Sequence, residues 1–237
     1  MGSVGTVSAR KIMSIVDTDG TVVDLPSELR YGTDKGANLP QSVSDFENRR
    51  ASSKIEYGFL ATATGKVLEE CRGGKSRVLM TERLYAKADI FTHIHPGDRG
   101  LMSGTLSPTD LEDIGKYRVA TIRAVAKEGT YSLSKGENFD ASIEQAYRKA
   151  YDRLSAKADK DISEANAQAE ALRVKLNFDY RLGKISYSEL QTQWKAIDSD
   201  YEKACAIANN KYLLGLHNWL LQNQKRFGYT YALEKRG

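Results

Sequence analysis

The strongest constraint on the fold is an apolar repeat that fills most of the last hundred residues. Apolar side chains recur at steps of three and four residues across 143–176, and the same spacing returns across 190–219. This period matches the 3.6 residues of a helical turn, so each run predicts an amphipathic helix about 50 Å long. Gly183 lies in the break between the runs and favours a helix end there. We therefore expect a long antiparallel helical hairpin.

Helices of this length extend beyond a small sheet domain, so part of their apolar stripe is expected to need a further partner. The same segment of another chain would provide one, and so would a different protein. The predicted organisation is an N-terminal hairpin and polar loop (1–50), an α/β domain (51–136) and the helical hairpin with a short extended segment (137–237). The aromatic segment 227–233 is expected to return to the sheet as a strand.

The first half of the chain alternates short β-type runs with turn residues. Asp19-Gly20 between two apolar runs predicts a hairpin, whereas the polar segment 26–50 predicts a loop. From residue 51 onward the pattern predicts a sheet with at least one helix, typical of an α/β layer. The predicted strands are 56–63, 66–70, 89–92, 119–125 and 130–133, a further extended run is predicted to begin at 77–80, and the predicted helix is 108–117.

Composition excludes several classes of protein. The net charge of +4 comes from 35 basic and 31 acidic residues and makes no case for nucleic-acid binding. Cys71 and Cys205 stand far apart without a CxxC motif, which argues against a disulfide framework, a zinc ribbon and a deaminase-type zinc site. We expect no membrane span, because no apolar run reaches about 20 residues, and a cytoplasmic location, because no export signal is recognisable.

Two of the three histidines stand one residue apart, at His93 and His95. On an extended backbone these imidazoles point to the same face, so both can reach one ion. Asp110, after the following loop, would supply a third ligand. Two neutral nitrogens and a carboxylate with one open position suit a catalytic zinc ion, Zn²⁺. The alternative is a surface His-x-His pair beside a helix that Ser107 caps.

His93-x-His95-Pro96-Gly97 followed by Ser107-x-x-Asp110 resembles the motif of the JAMM (MPN/JAB) metalloprotease family. The sequence of this motif is most similar to that of RadC-like JAB domains and of bacterial and phage-associated JAB domains. The resemblance covers roughly residues 50–135, and it places Glu56 where the family has an upstream glutamate. The loop between His95 and Ser107 is longer than is usual in the family. Ser103 fits the shorter spacing, but Leu106, three residues beyond it, cannot bind a metal.

The resemblance implies a JAMM/MPN-like mixed sheet with flanking helices, a cytidine-deaminase-like layer. It also implies a zinc-dependent peptidase or isopeptidase acting on a protein or peptide. Glu56 would be the general base and later the general acid, and Ser107 would stabilise the oxyanion. Glu69 and Glu82 are alternative bases outside the matching context, and we interpret His217 as a helix-face residue.

A second interpretation belongs to another class of protein. The chain would bind metal without catalysis and would assemble with a partner, or with a second copy, through the helical hairpin. A bacterial or phage effector is a further form of this alternative, and it rests on analogy of fold.

Overall fold

The chain folds as a mixed α/β protein with a six-stranded mixed sheet and a long C-terminal pair of helices, as the sequence predicts at this level. The computed structural model describes residues 14–16, 22–24, 39–75, 77–96 and 104–234. Strands β1 (Ser14–Val16) and β2 (Val22–Asp24) form the predicted antiparallel pair. The Asp19-Gly20 turn between them lies outside the described residues, as does Ser103.

The main sheet has the strand order β4-β3-β5-β6-β7-β8. Among these strands, only β5 and β6 pair in parallel, and the other neighbours are antiparallel. The last described strand thus completes the sheet beside β7, as the aromatic segment 227–233 predicts. The strands are β3 (Tyr57–Ala61), β4 (Val67–Arg72), β5 (Ile90–Ile94), β6 (Thr121–Ala126), β7 (Gly129–Lys135) and β8 (Tyr229–Glu234).

Five helices accompany these strands in the described part of the chain. The predictions of one helix after Ser107 and of two long C-terminal helices are confirmed. The extended run predicted at 77–80 is not a strand, and the loop prediction for 26–50 is wrong over residues 41–50. That segment forms a helix because Val43 and Phe46 are fully buried against the sheet. The helices are α1 (Gln41–Arg50), α2 (Glu82–Tyr85), α3 (Pro108–Lys116), α4 (Ile143–Arg181) and α5 (Tyr187–Phe227).

The two faces of the sheet carry different helices. On one face α1 packs on Ile90 and Ile94 of β5. On that face Arg123 is buried between the carboxylates of Glu47 and Glu234, so its charge is paired on both sides. The opposite face carries α3 and the sheet-proximal ends of α4 and α5, which share one core with β5, β6 and β7. The two histidines belong to this second face.

The long helices run antiparallel, since Tyr151 meets Tyr212 near the sheet and Arg173 pairs with Asp198 near the tip. Gly183 in the turn between them has a left-handed backbone, with φ at 68°, which agrees with the helix end that the sequence predicts. Beyond Ala150 the buried residues of α4 reduce to Ala169 alone. No helix among the described residues is long and apolar enough to cross a membrane.

Candidate metal centre

His93 and His95 lie at the end of the central strand β5. Phe91 and His93 point to the face that α3 covers, and their rings stack at 5.0 Å. His95 follows with the same alternation, so its ring returns to that face. The Nε2 atoms of the two histidines are 2.9 Å apart, and His93 is only 4% exposed. The i, i+2 spacing thus brings two imidazole nitrogens to one point, as the sequence predicts.

Asp110 reaches the same point from the first turn of α3. Ser107 caps this helix: its side chain accepts from the backbone N–H of Asp110, and its own N–H and hydroxyl donate to Asp110 Oδ2 at 2.6 and 2.8 Å. The capping box therefore fixes one carboxylate oxygen. The other oxygen, Oδ1, lies 3.5 Å from His93 Nε2. Asp110 is thus both the partner of Ser107 in the capping box and a candidate ligand.

The three side chains fit a divalent metal ion. Their donor atoms all lie within 4.8 Å of one another, and His93 and Asp110 are buried. Donor atoms at about 2.0–2.1 Å from a tetrahedral zinc ion are about 3.3 Å apart, which the separations of 2.9 and 3.5 Å bracket. Two imidazoles with one carboxylate also form a usual donor set of catalytic zinc sites.

The surroundings of the partly buried His95 favour its neutral form, which is the protonation state that a metal ligand needs. Desolvation and the neighbouring His93 lower the pKa of His95 to about 4, although Asp110 and a hydrogen bond with the backbone of Gly104 oppose the shift. Since Nε2 of His95 faces His93, the nitrogen left for Gly104 is Nδ1, the usual outer partner of a ligating histidine. Nδ1 of His93 is buried without a partner among the described residues.

Glu56 directly precedes β3, the antiparallel neighbour of β5. Gly58 pairs with His93 in the antiparallel ladder, and Glu56 stands two residues before Gly58, which brings it to the strand end near His95. Burial and the charge of Asp110 raise the pKa of Glu56 to about 7, against a hydrogen bond from the backbone of Val78. A carboxyl group poised near neutral pH is suited to taking up and returning a proton.

No protein-family model matches this chain, and comparisons with curated proteins and with solved structures found no match either.

The other candidate side chains lie apart from the centre. The carboxylate of Glu69 accepts hydrogen bonds from Thr81, and that of Glu82 accepts from Lys116 and Tyr117. His217 is fully buried on α5, where Nδ1 is 3.0 Å from the hydroxyl of Tyr231. It is a core residue rather than a surface one, and it does not join the His–His–Asp group.

The sequence did not predict the side chains that hydrogen-bond to the segment just before Ser107. Tyr147 on α4 bonds the backbone carbonyl of Leu106, and the hydroxyls of Tyr231 on β8 and Thr105 lie 2.8 Å apart. On α3, Asp113 accepts from the hydroxyl of Tyr85 one turn after Asp110. Burial raises the pKa of Asp113 to about 6, and the charge of Asp110 adds to the shift. In the sequence these tyrosines were indistinguishable from ordinary core residues.

Proposed function

We propose that this chain is a zinc-dependent peptidase or isopeptidase of the JAMM type, with a JAMM/MPN-like arrangement of sheet and helices. The observation that carries the proposal is the convergence of His93, His95 and Asp110 beside Glu56, a carboxyl group with a pKa of about 7. These residues come from three separate places along the chain. A surface His-x-His pair would require neither the buried carboxylate nor the titratable glutamate.

The metal ligands and Glu56 have separate roles in the proposed hydrolysis. His93, His95 and Asp110 would hold the ion, which when bound acts as a Lewis acid and lowers the pKa of water towards about 7. Glu56 accepts a proton from the attacking water and returns it to the departing amine, so that no net proton is consumed at the glutamate. In the metal-free protein, burial and Asp110 raise the pKa of Glu56 to about 7, and the charge of a bound ion would lower it and so favour the carboxylate form that a general base needs.

Ser107 has a defined part in this arrangement. Its hydroxyl donates to Asp110 Oδ2 and so directs Oδ1 towards His93. In the proposed reaction the same hydroxyl turns from Asp110 to the developing oxyanion of the substrate carbonyl, while the backbone N–H of Ser107 continues to hold the carboxylate. Ser107→Ala is therefore expected to reduce turnover more than it reduces metal affinity.

The experiment that tests the proposal joins metal content with cleavage. The purified protein is stripped with a chelator, reloaded with zinc, and assayed on fluorogenic peptides and on lysine-linked isopeptides. Glu56→Gln should retain zinc and lose about 10²–10⁴-fold in kcat, the usual contribution of a general base. Glu82→Gln is the matched control, because Glu82 is exposed and bonded to Lys116, and it should leave kcat unchanged.

The outcomes separate the proposal from its alternative. Normal turnover by zinc-loaded Glu56→Gln would refute the role of Glu56, and failure to bind zinc would refute the centre itself. Stoichiometric zinc without cleavage of either bond type favours the second candidate function, a metal-binding assembly protein. The observation in favour of that candidate is the length of helix beyond the sheet, where large apolar side chains such as Val174 and Phe178 are exposed.

A further inference from the structure

A groove runs along one side of the helical hairpin, where α4 and α5 lie next to each other. It consists of three adjoining cavities of about 50, 310 and 120 Å³, in order from the sheet towards the tip. Neighbouring cavities share lining residues, Lys211 between the first two and Ala204 between the last two, so the groove is continuous. From Leu154 to Leu172 on α4 it extends about 27 Å, at 1.5 Å per residue.

The groove is apolar at its floor and on parts of its rim. Small side chains form the floor and let the two helices approach closely. Two large apolar residues line the groove yet remain open to solvent, Leu172 at 51% and Ile207 at 54% exposure. The floor consists of Ala165, Ala169, Ala204 and Ala208.

The hairpin beyond the sheet lacks a core of its own. From Tyr151 to the end of α4 the one buried residue is Ala169, and from the start of α5 to Ile207 the one buried residue is Leu190. Helices owe most of their stability in proteins to the packing of an apolar face rather than to intrinsic propensity. Two helices in contact along one line bury little of that face, whereas a four-helix bundle encloses it.

Charges are distributed unevenly along the groove. Lys157 and Lys211 outnumber Asp161 in the sheet-proximal cavity, and neither lysine has an ion-pair partner within the described residues. Asp200 is the charged residue that lines the cavity nearest the tip, where it forms an exposed ion pair with Lys203 of its own helix. The middle cavity is lined by Glu164 and, shared with the sheet-proximal cavity, by Asp161 and Lys211. A second groove running in the opposite direction would set basic end against acidic end, whereas a parallel one would set lysines against lysines.

We propose that a second copy of this chain binds in the groove in antiparallel orientation, so that two hairpins form a four-helix bundle. A contact two helices wide and about 27 Å long covers about 500 Å² on each copy and about 1,000 Å² in total, which reaches the lower limit of specific interfaces. The arrangement is self-complementary, as a two-fold dimer requires. It stands independently of whether the metal centre is catalytic.

Sedimentation velocity over a concentration series of the full chain tests this dimer. The wild type should dimerise, and Ile207→Glu or Leu172→Glu should raise the dimer dissociation constant at least about tenfold, because each buries a charge in an apolar contact. Val174→Glu is the matched control, since Val174 is 67% exposed on α4 and does not line the groove. Circular dichroism verifies that each variant retains its helices.

Charge reversal tests the antiparallel direction. Lys211→Glu and Asp200→Lys should each weaken the dimer, and the double variant should recover at least part of the loss, because the two groups face each other across the two-fold axis. A wild type that stays monomeric at every concentration overturns the proposal, as does a dimer that Ile207→Glu leaves intact. A double variant no better than its singles overturns the antiparallel direction.

Discussion

The hydroxyl of Tyr147 donates a hydrogen bond of 2.6 Å to the backbone carbonyl of Leu106, and both residues are fully buried. Leu106 directly precedes Ser107, the cap that fixes Asp110. A long C-terminal helix therefore supports the loop that carries the candidate ligand. The sheet-proximal end of the helical hairpin therefore supports the candidate metal centre. This support does not depend on what the tip of the hairpin contacts.

Tyr147→Phe removes this support with little change in shape. The buried carbonyl of Leu106 then lacks its partner, which is expected to lower the free energy of unfolding by about 1–3 kcal/mol. Urea denaturation measures the change, and zinc titration should show weaker binding because the Ser107 loop loosens. Tyr180→Phe, at the exposed tip of α4, is the control. Equal effects of the two substitutions would contradict a specific role for Tyr147.

Asp110→Asn tests the carboxylate as a ligand. The neutral amide retains capping ability but removes the charge that faces His93, so the dissociation constant for zinc should rise at least about tenfold. Asp113→Asn is the matched control, because Asp113 lies one turn further on α3 and accepts from Tyr85. Calorimetric titration compares the two. A similar loss in both variants would indicate a general effect of charge on α3 rather than ligation.

Glu56 should titrate near neutral pH in the metal-free protein. Burial and Asp110 raise its pKa to about 7 from 4.5, so the folded state holds this proton more tightly than the unfolded state does. The resulting stabilisation is present in acid and disappears as pH rises from 4.5 through 7. Carboxyl NMR on glutamate-labelled protein measures the pKa, which should fall in Asp110→Asn. An unshifted pKa in both proteins would count against the placement of Glu56.

His217 should make the fold sensitive to mild acid. Burial lowers its pKa to about 4, and the groups that face it, Tyr131 and Tyr231, are neutral phenols. An unfolded histidine binds its proton near pH 6.5, so between pH 6.5 and 4 the unfolded state binds more protons and stability falls as pH falls. The full loss corresponds to about 3 kcal/mol.

His217→Gln keeps a polar group for Tyr231 but does not titrate. Its free energy of unfolding should therefore change less than that of the wild type between pH 6.5 and 4, although its stability at neutral pH is lower. Denaturant unfolding at several pH values measures both curves. Parallel curves would show that another group causes the acid sensitivity.

The features predicted correctly from the sequence are those that depend on neighbours within the chain. The apolar repeat defines α4 and α5, because its period is that of a helix and Gly183 interrupts it. Ser107 followed by Pro108 defines the start of α3 in the same way. The spacing of His93 and His95 predicts that both side chains lie on the same face of the sheet, because the alternation of side chains along a strand is a local property.

The features that escaped prediction depend on contacts between distant residues. The segment 41–50 is polar on average, and it is helical because Phe46 stacks on Phe59 and Glu47 meets the buried Arg123. None of these partners is near in sequence. Likewise, the hydroxyl of Tyr147 finds Leu106 only after α4 has packed on the sheet. The periodicity of a sequence predicts which face of a helix is apolar. It does not predict which distant residue that face will contact or which polar groups will bond there.

The position of β8 has a consequence for how the protein is made. Its partner β7 is synthesised long before it, with the whole helical hairpin between the two strands. A nascent chain on the ribosome therefore displays β7 as an open edge, prone to pairing with other chains. Tyr231 belongs to β8, and its hydroxyl is hydrogen-bonded to that of Thr105. This contact can form only after β8 has been synthesised. The loop that carries Asp110 thus acquires this support only after the whole helical hairpin has been synthesised, and a chain truncated within α5 would lack it.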